Sequence, residues 1–364
     1  MNSSKKIKIL FLAPNPEGIG ASQRFRFEHY LPYLSNLNIR YQYRTFINKN
    51  DYPYIYKRGL ILKKILIILK GLVNRFFLLF TIPNYDFIYI HREAAPIGPP
   101  IFEWVTSKFF NKKIIYDFDD SIWIRQASEV NPFAAPLKCS WKVTKIISWS
   151  WKVSVGNQFL KNFALAFNQN VCIIPTVVDT ENVHTFQKQR VKKNRKIVGW
   201  TGTFSNFNNF SLVLPAIKRI QNEFNIQFFI IADKDPKLIE LEYHYIPWNK
   251  KTEINDLRKL DIGIMPLLDG EVQRGKCGFK AIQYMAIGIP PVISPVGVNT
   301  EIVKDGENGF LAQSSDDWYI KIKILLENNE IYNSISLKAR KTIEGEYSVN
   351  SSLPLFMKLF ELYP

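Results

Sequence analysis

Arg274-Gly275-Lys276-Cys277-Gly278-Phe279-Lys280-Ala281-Ile282-Gln283-Tyr284-Met285-Ala286-Ile287-Gly288-Ile289-Pro290-Pro291-Val292-Ile293-Ser294-Pro295 is the stretch from which the rest of the chain is read. Gly275 and Gly278 permit a tight backbone path and predict a loop opening a short helix over residues 279–287. Gly288 sits where a left-handed residue ends a helix, and Pro290 forbids continuation. A buried strand over residues 292–294 follows, and Asn299 or Thr300 is placed to cap another short helix at Glu301. A glycine-bearing loop that opens a helix aims N–H groups and the positive dipole end at an anion. Lys276 and Lys280, four apart, add cationic donors, which suits a diphosphate. An ordinary helix-to-strand connection with solvated lysines fits the same letters; loop, lysines and strand together favour the anion site.

The same residues resemble the C-terminal signature of retaining glycosyltransferases of family 4, which have the GT-B fold. That signature is Glu, seven residues, Glu, then Ala-Met-Ala-x-Gly-x-Pro-Val-Val-x-Ser and a later Gly-Gly-x-x-Glu. Tyr284 to Ser294 and Gly297 to Glu301 follow it closely, whereas its two acids fall on Gly275 and Gln283. The resemblance implies that Gln283 stands where an acid holds the nucleotide ribose, and Gly275 where one touches the donor sugar. It implies an α/β protein with two doubly wound Rossmann-like domains facing across a cleft, the last helix returning to the first. The implied activity is transfer of a sugar from a nucleotide-diphosphate sugar with retention of configuration. In that chemistry the leaving diphosphate helps take the acceptor proton, so positive groups matter more than a side-chain base.

At 364 residues the chain is expected to hold about two domains. Its 46% apolar content suffices for packed cores. Cys139, Cys172 and Cys277 are odd in number and far apart, which fits a reducing compartment. Lys5, Lys6 and Lys8 precede only a short apolar run ending at Pro14, too short for a signal-peptide core, so a cytoplasmic protein is expected. The net charge of +16 is uneven: up to Thr180 there are 24 Lys+Arg against 11 Asp+Glu, a net +13. That half is matched to an anionic partner: a membrane surface, a nucleic acid or a phosphorylated acceptor.

Residues 8–13 read as a buried strand, followed by Gly18-Ile19-Gly20 and a helix from about Ser22, a good N-cap. Gln23 occupies the third position of a dinucleotide fingerprint, which rules that motif out. Arg24 and Arg26 lie at the unfavourable positive end of this helix, where they either meet a negative ligand or lie on the surface. Residues 60–80 are the most apolar segment, but Lys63, Lys64, Lys70 and Arg75 exclude a transmembrane span. Those cations with Gly71 and Asn74 fall on one side of a helical wheel. Two readings stand: an amphipathic helix in a membrane interface, or a core helix with a solvated lysine edge. Two further strands end in His91-Arg92-Glu93 and Asp117-Phe118-Asp119-Asp120, and in parallel sheets sites lie at such ends. Asp117 and Asp119 also match a DxD metal motif, but the second series of strands and helices disfavours that reading. Asp120 fits equally a helix-capping acid.

The resemblance extends to Val171 to Asp179, read as the strand before an interdomain linker, and to a terminal helix. The expected domains are residues 1–178 with the helix 347–364, a linker over 179–196, and 197–346. Gly202, with the hydroxyls of Thr201, Thr203 and Ser205, is placed to approach a phosphate. The family's Arg and Lys at this loop are absent, so Arg274, Lys276 and Lys280 are expected to supply the charge. Trp248 lies where the family contacts the base, though plain aromatic packing fits as well. The catalytic residues implied are Asp119, Asp120, Lys276 and Lys280. Gly20, Gly202, Thr203, Trp248, Arg274, Gly278, Phe279, Gln283 and Glu301 are assigned to the donor, and Arg24, Arg92 and Glu93 to the acceptor side. The nucleotide sugar is a co-substrate; no cofactor and no divalent metal are expected. The acceptor expected is a glycan or a lipid-linked intermediate, with the protein peripheral on the inner face of an acidic membrane; a nucleic acid is disfavoured. The alternatives are a nucleotide-sugar epimerase of the same fold and a basic non-enzymatic membrane or nucleic-acid binder.

Overall fold

In this computed structural model the structure describes residues 7–37, 39–55, 57, 59–124, 136–186 and 195–362. Lys5 and Lys6, much of the expected linker, and the last two residues of the expected terminal helix lie outside these. Apolar runs set the frame. Ile9 to Ala13 and Phe87 to Ile90 are buried on both faces, as central parallel strands must be. Six strands, β1 (Lys8–Ala13), β2 (Arg40–Thr45), β3 (Phe87–His91), β4 (Lys113–Phe118), β5 (Lys152–Val155) and β6 (Val171–Ile173), pair in the order β2-β1-β3-β4-β5-β6. Every pairing is parallel. The order reverses between β1 and β3, which marks the carboxyl ends of those strands as the place for a ligand.

The second sheet holds β7 (Lys196–Gly202), β8 (Ile226–Ala232), β9 (His244–Pro247), β10 (Ile262–Met265), β11 (Pro291–Ile293) and β12 (Phe310–Leu311). It is again parallel, in the order β12-β11-β10-β7-β8-β9. Here the reversal falls between β7 and β10. Trp200, Phe228, Ile230, Ile264 and Val292 join Trp318 and Ile322 in its core. Contacts divide the chain into one compact unit of residues 1–175 with 353–364 and another of 176–352. The terminal helix, Val349–Lys358, gives the first unit Phe356, whose ring stacks on Tyr30 with centroids 4.2 Å apart. Phe360 follows, packed against Phe87 and Phe11.

The segment expected to be amphipathic forms one helix, Ile61–Leu79, but its faces are exchanged. Its buried stripe is Ile67, Gly71 and Arg75. Gly71 lies on the Phe46 ring, where a Cβ would come within 2.5 Å. Arg75 donates from Nε to the Ala94 carbonyl at 2.8 Å and from Nη2 to that of Arg44 at 3.2 Å. Burial pulls its pKa down to about 10. Apolar side chains occupy the opposite face instead: Leu62 is 79% exposed, Leu66 65%, Phe77 62% and Phe80 69%. The core-helix reading therefore fails, and Arg75 leaves the cationic face. Lys63, placed over the Tyr54 ring, and Lys70, paired with Asp51, border the apolar face. Among the described residues, no helix is long and apolar enough to cross a membrane.

Candidate active site

In the first unit a charged cluster forms at the reversal between β1 and β3. Asp117, fully buried in β4, accepts from Arg26 Nη2 at 2.5 Å and from Ser154 Oγ at 2.8 Å. Its other oxygen lies 2.8 Å from His91 Nδ1. A carboxylate only accepts, so that nitrogen carries the proton. Burial alone would raise the Asp117 pKa; Arg26 and His91 outweigh it and hold the group well below the ordinary carboxylate range. His91 Nε2 then meets Ser22 Oγ at 2.8 Å, and Ser22 donates to Asp119 Oδ1 at 2.6 Å. Arg92 grips the same oxygen from Nε at 3.0 Å and Nη2 at 2.8 Å. Despite burial, Arg92 keeps the Asp119 pKa at about 2. Arg92 is itself left-handed, with φ 61°, a conformation that costs energy for a long side chain. Its N–H donates to the Asp117 carbonyl and its carbonyl accepts from Tyr116 Oη, which hold it there.

Glu93 pairs with Lys142 at 2.7 Å, and Asp120 accepts from the Ser121 N–H at 2.9 Å. These groups line a cavity of about 200 Å³ with Arg92, Ser121, Lys138 and Lys142. Arg24 is not in its lining; Arg24 and Arg26 are both buried, which removes their surface reading. Ser22 does not cap its helix. Gly20 takes the N-cap position and Ser22 faces His91 and Asp119.

In the second unit Gly278, at φ 64°, begins the helix Phe279–Ala286. A Cβ there would come 2.2 Å from Ile302 Cδ1, so both dihedral and space require glycine. Gly288, at φ 74°, ends the segment as expected. From the first turn Lys280 reaches the end of β7: its Nζ lies 4.7 Å from the Trp200 ring centre, and a Cβ on Gly202 would be 2.8 Å from it. Burial, then the charge of Lys276, lowers the Lys280 pKa to about 7. Among the described residues no carboxylate pairs with it. Arg274 is turned elsewhere, binding Asp269 through Nε at 2.7 Å and Nη2 at 2.8 Å on the surface. Glu301 is exposed in the first turn of Asn299–Ile302, and Asn299 donates to the Ser294 carbonyl instead of capping. Thr203 accepts from Asn206 at 2.7 Å.

The structure thus gathers Lys276, Lys280 and Gly202, and separately Asp119 with Arg92. Sequence reasoning missed the roles of Ser22 and His91, and it missed Glu253. Glu253 accepts at 3.3 Å from both Gln283 Nε2 and Trp248 Nε1. His91 was visible as a strand end; Glu253, thirty positions from Gln283, had no local signal.

Residues 195–328 match the family model described as glycosyl transferases group 1. No curated protein matches the chain. Among solved structures it is similar to a glycosyltransferase from Rickettsia africae, 14% identical, TM-score 0.65, covering 99% of this chain and 100% of that one. Anabaena HepE in complex with UDP and glucose is 14% identical, TM-score 0.68, with 98% and 100% covered. Sucrose-phosphate synthase from Thermosynechococcus elongatus is 13% identical, TM-score 0.69, with 98% of each chain covered. The fold is GT-B. The chain is an enzyme that carries, over residues 195–328, a glycosyl transferases group 1 domain.

Proposed function

We propose that this protein is a glycosyltransferase that takes its sugar from a nucleotide-diphosphate donor, retains the anomeric configuration, and delivers it to a glycan or lipid-linked acceptor at an acidic membrane surface. The observation that carries the donor assignment is Lys280: a partly buried amine beside Gly202 and Lys276, with its pKa pulled to about 7 and no carboxylate partner among the described residues. Such a group is completed by an anion, and the positive end of its own helix adds to the attraction. HepE, solved with UDP and glucose, supports a nucleotide sugar over another anion.

In the proposed reaction the bond from the anomeric carbon to the diphosphate oxygen breaks, the acceptor oxygen bonds to that carbon, and its proton passes to the departing diphosphate. Lys276, Lys280 and the Gly278 backbone offset the charge that develops on the leaving group. The donor side is residues 197–346. The acceptor side, residues 1–178 with 347–364, offers the cavity beside Arg92, Glu93 and Asp120. Asp119, held ionised by Arg92, accepts the Ser22 hydroxyl as part of the frame behind it. The exposed apolar face of Ile61–Leu79 and the +13 charge of the first half support an acidic leaflet as the docking surface.

Thermal-shift titration with UDP, GDP and ADP, each with and without EDTA, tests the donor assignment, since a ligand that binds the native state raises its apparent stability. One of the three should shift the transition regardless of chelator, and Lys276→Ala/Lys280→Ala should lose the shift. Binding that requires Mn²⁺ or Mg²⁺ would return Asp117 and Asp119 to a metal role. Product analysis with a sugar donor alone separates transfer from epimerisation.

A further inference from the structure

The cavity beside Arg92 has a rim of two characters. Lys138, Ser140 and Lys142 line it, whereas Leu137 and Trp141, which alternate with them, are 56% and 53% exposed. Lys142 is held by Glu93 and by the Ala95 carbonyl, each at 2.7 Å, and Arg92 is held by Asp119. Lys138 is exposed and forms no ion pair among the described residues. At about 200 Å³ the cavity is smaller than the roughly 300–1,000 Å³ of sites that enclose a drug-sized ligand. It takes a head group, and anything long attached to that group leaves over the rim.

Beyond the rim the surface stays apolar. The chain passes from β2 to β3, β4 and β5 in one direction across the sheet, so right-handed crossovers put Ile61–Leu79, helical residues 101–109 and Lys142–Trp149 on one face. The loop after β3 ties them together. Ala94 bonds to Arg75 through its carbonyl and to Glu103 through its N–H, Ala95 accepts from Lys142, and Gly98 donates to the Leu137 carbonyl. Ile101 is 62% exposed, Trp104 48% and Phe109 73%. Residues 57–80, 101–112 and 136–149 contain one acid, Glu103, and it is buried. Exposed apolar side chains and tryptophans set among lysines match an anionic amphiphile. We propose that the acceptor is a lipid phosphate: its head enters the cavity, its phosphate meets Lys138 at the mouth, and its hydrocarbon chain lies over Leu137 and Trp141. The inference rests on the acceptor-side reading above and narrows it from a glycan or a lipid to a lipid.

The test separates chain from charge. Binding of farnesyl phosphate, farnesol and inorganic phosphate to the full chain is measured by calorimetry, below the concentration at which micelles form. Farnesyl phosphate should bind about tenfold or more tighter than either of the others, because burying a few methylenes and bonding a phosphate each act on that scale. Leu137→Ser/Trp141→Ser should remove the gain over inorganic phosphate, and Lys138→Gln the gain over farnesol. All three side chains are exposed, so the melting temperature should not change. Binding to phosphatidylcholine vesicles containing phosphatidylglycerol is read alongside. Serine at Leu62, Leu66, Phe76 and Phe77 together should abolish vesicle binding and leave farnesyl phosphate affinity as it was. Farnesyl phosphate that binds no tighter than inorganic phosphate would overturn the inference and leave a soluble glycan as the acceptor. A preference that survives both rim variants overturns it too, since the chain then lies elsewhere. A wild type that prefers farnesyl phosphate yet ignores the vesicles supports the lipid acceptor and removes only the leaflet from the reading above.

Discussion

Lys280 stands where two opposing demands meet. An amine packed on an indole beside another lysine is held as a cation at a cost, and its pKa of about 7 records that cost. An unfolded lysine titrates near 10.5. Between those two values the unfolded chain binds more protons than the native one, so this group makes stability rise with pH. Below about pH 7 both states are charged and the penalty is present in full. Lys280→Met should therefore raise the melting temperature at pH 6, with the gain fading towards pH 10. An anion reverses the balance by favouring the ammonium. Diphosphate affinity should then fall by up to about tenfold per pH unit above pH 7, one proton being taken up on binding. The measurement begins at pH 7.5, because a phosphate's own second ionisation, near about pH 6, is then largely complete. Lys280→Ala should cost about 1–3 kcal/mol of diphosphate binding and flatten the pH dependence. An affinity that does not change between pH 7.5 and 9.5 would remove Lys280 from the site.

At the level of single elements, what the letters disclosed depended on burial. A strand buried on both faces, such as Lys8–Ala13, reads as an apolar run, and it lies where residues 8–13 were expected to form one. Arg40–Thr45 and His244–Pro247 are edge strands, polar on at least one side, and gave no such signal. Lys152–Val155 was missed because it is short and carries Ser154, which is buried for the sake of Asp117. The donor loop was legible because glycine and proline constrain the backbone locally. The network from Arg26 to Arg92 was not, since its members converge only when the sheet assembles. The helix Ile61–Leu79 shows the same limit: its periodicity was plain, but the wheel cannot say which face is bound. With Leu62, Leu66, Phe76 and Phe77 outward, membrane affinity should reside mainly in apolar contact. Changing these four to Ser should abolish binding to vesicles containing acidic lipid. Lys63→Gln/Lys70→Gln should cost only about 1 kcal/mol per charge and weaken the salt dependence. Arg75 is left unchanged in both variants because it anchors the helix. Wild-type protein that ignores acidic vesicles at low salt would leave this face for another partner.

For the whole molecule, two sheets of the same parallel kind carry separate cores, and the chain returns to the first through residues 353–364. Phe356 and Phe360 are fully buried there, so the last residues of the chain belong to the stability of its first strands. The nucleotide site proposed above draws on residues 176–352 alone. Phe356→Ala should then destabilise the first unit by about 3–5 kcal/mol, the cost of emptying a large buried aromatic site. Nucleoside diphosphate affinity should remain within about twofold of the wild type, while transfer to an acceptor falls. Hydrogen exchange reads the two units separately: amides of β1 and β3 should exchange faster in the variant, and those of β7 and β10 should not. Adding the diphosphate should slow exchange in β7 and β10 of both proteins. If Phe356→Ala instead loosens β7 and β10 to the same degree, the two cores unfold as one and the donor side does not stand on its own.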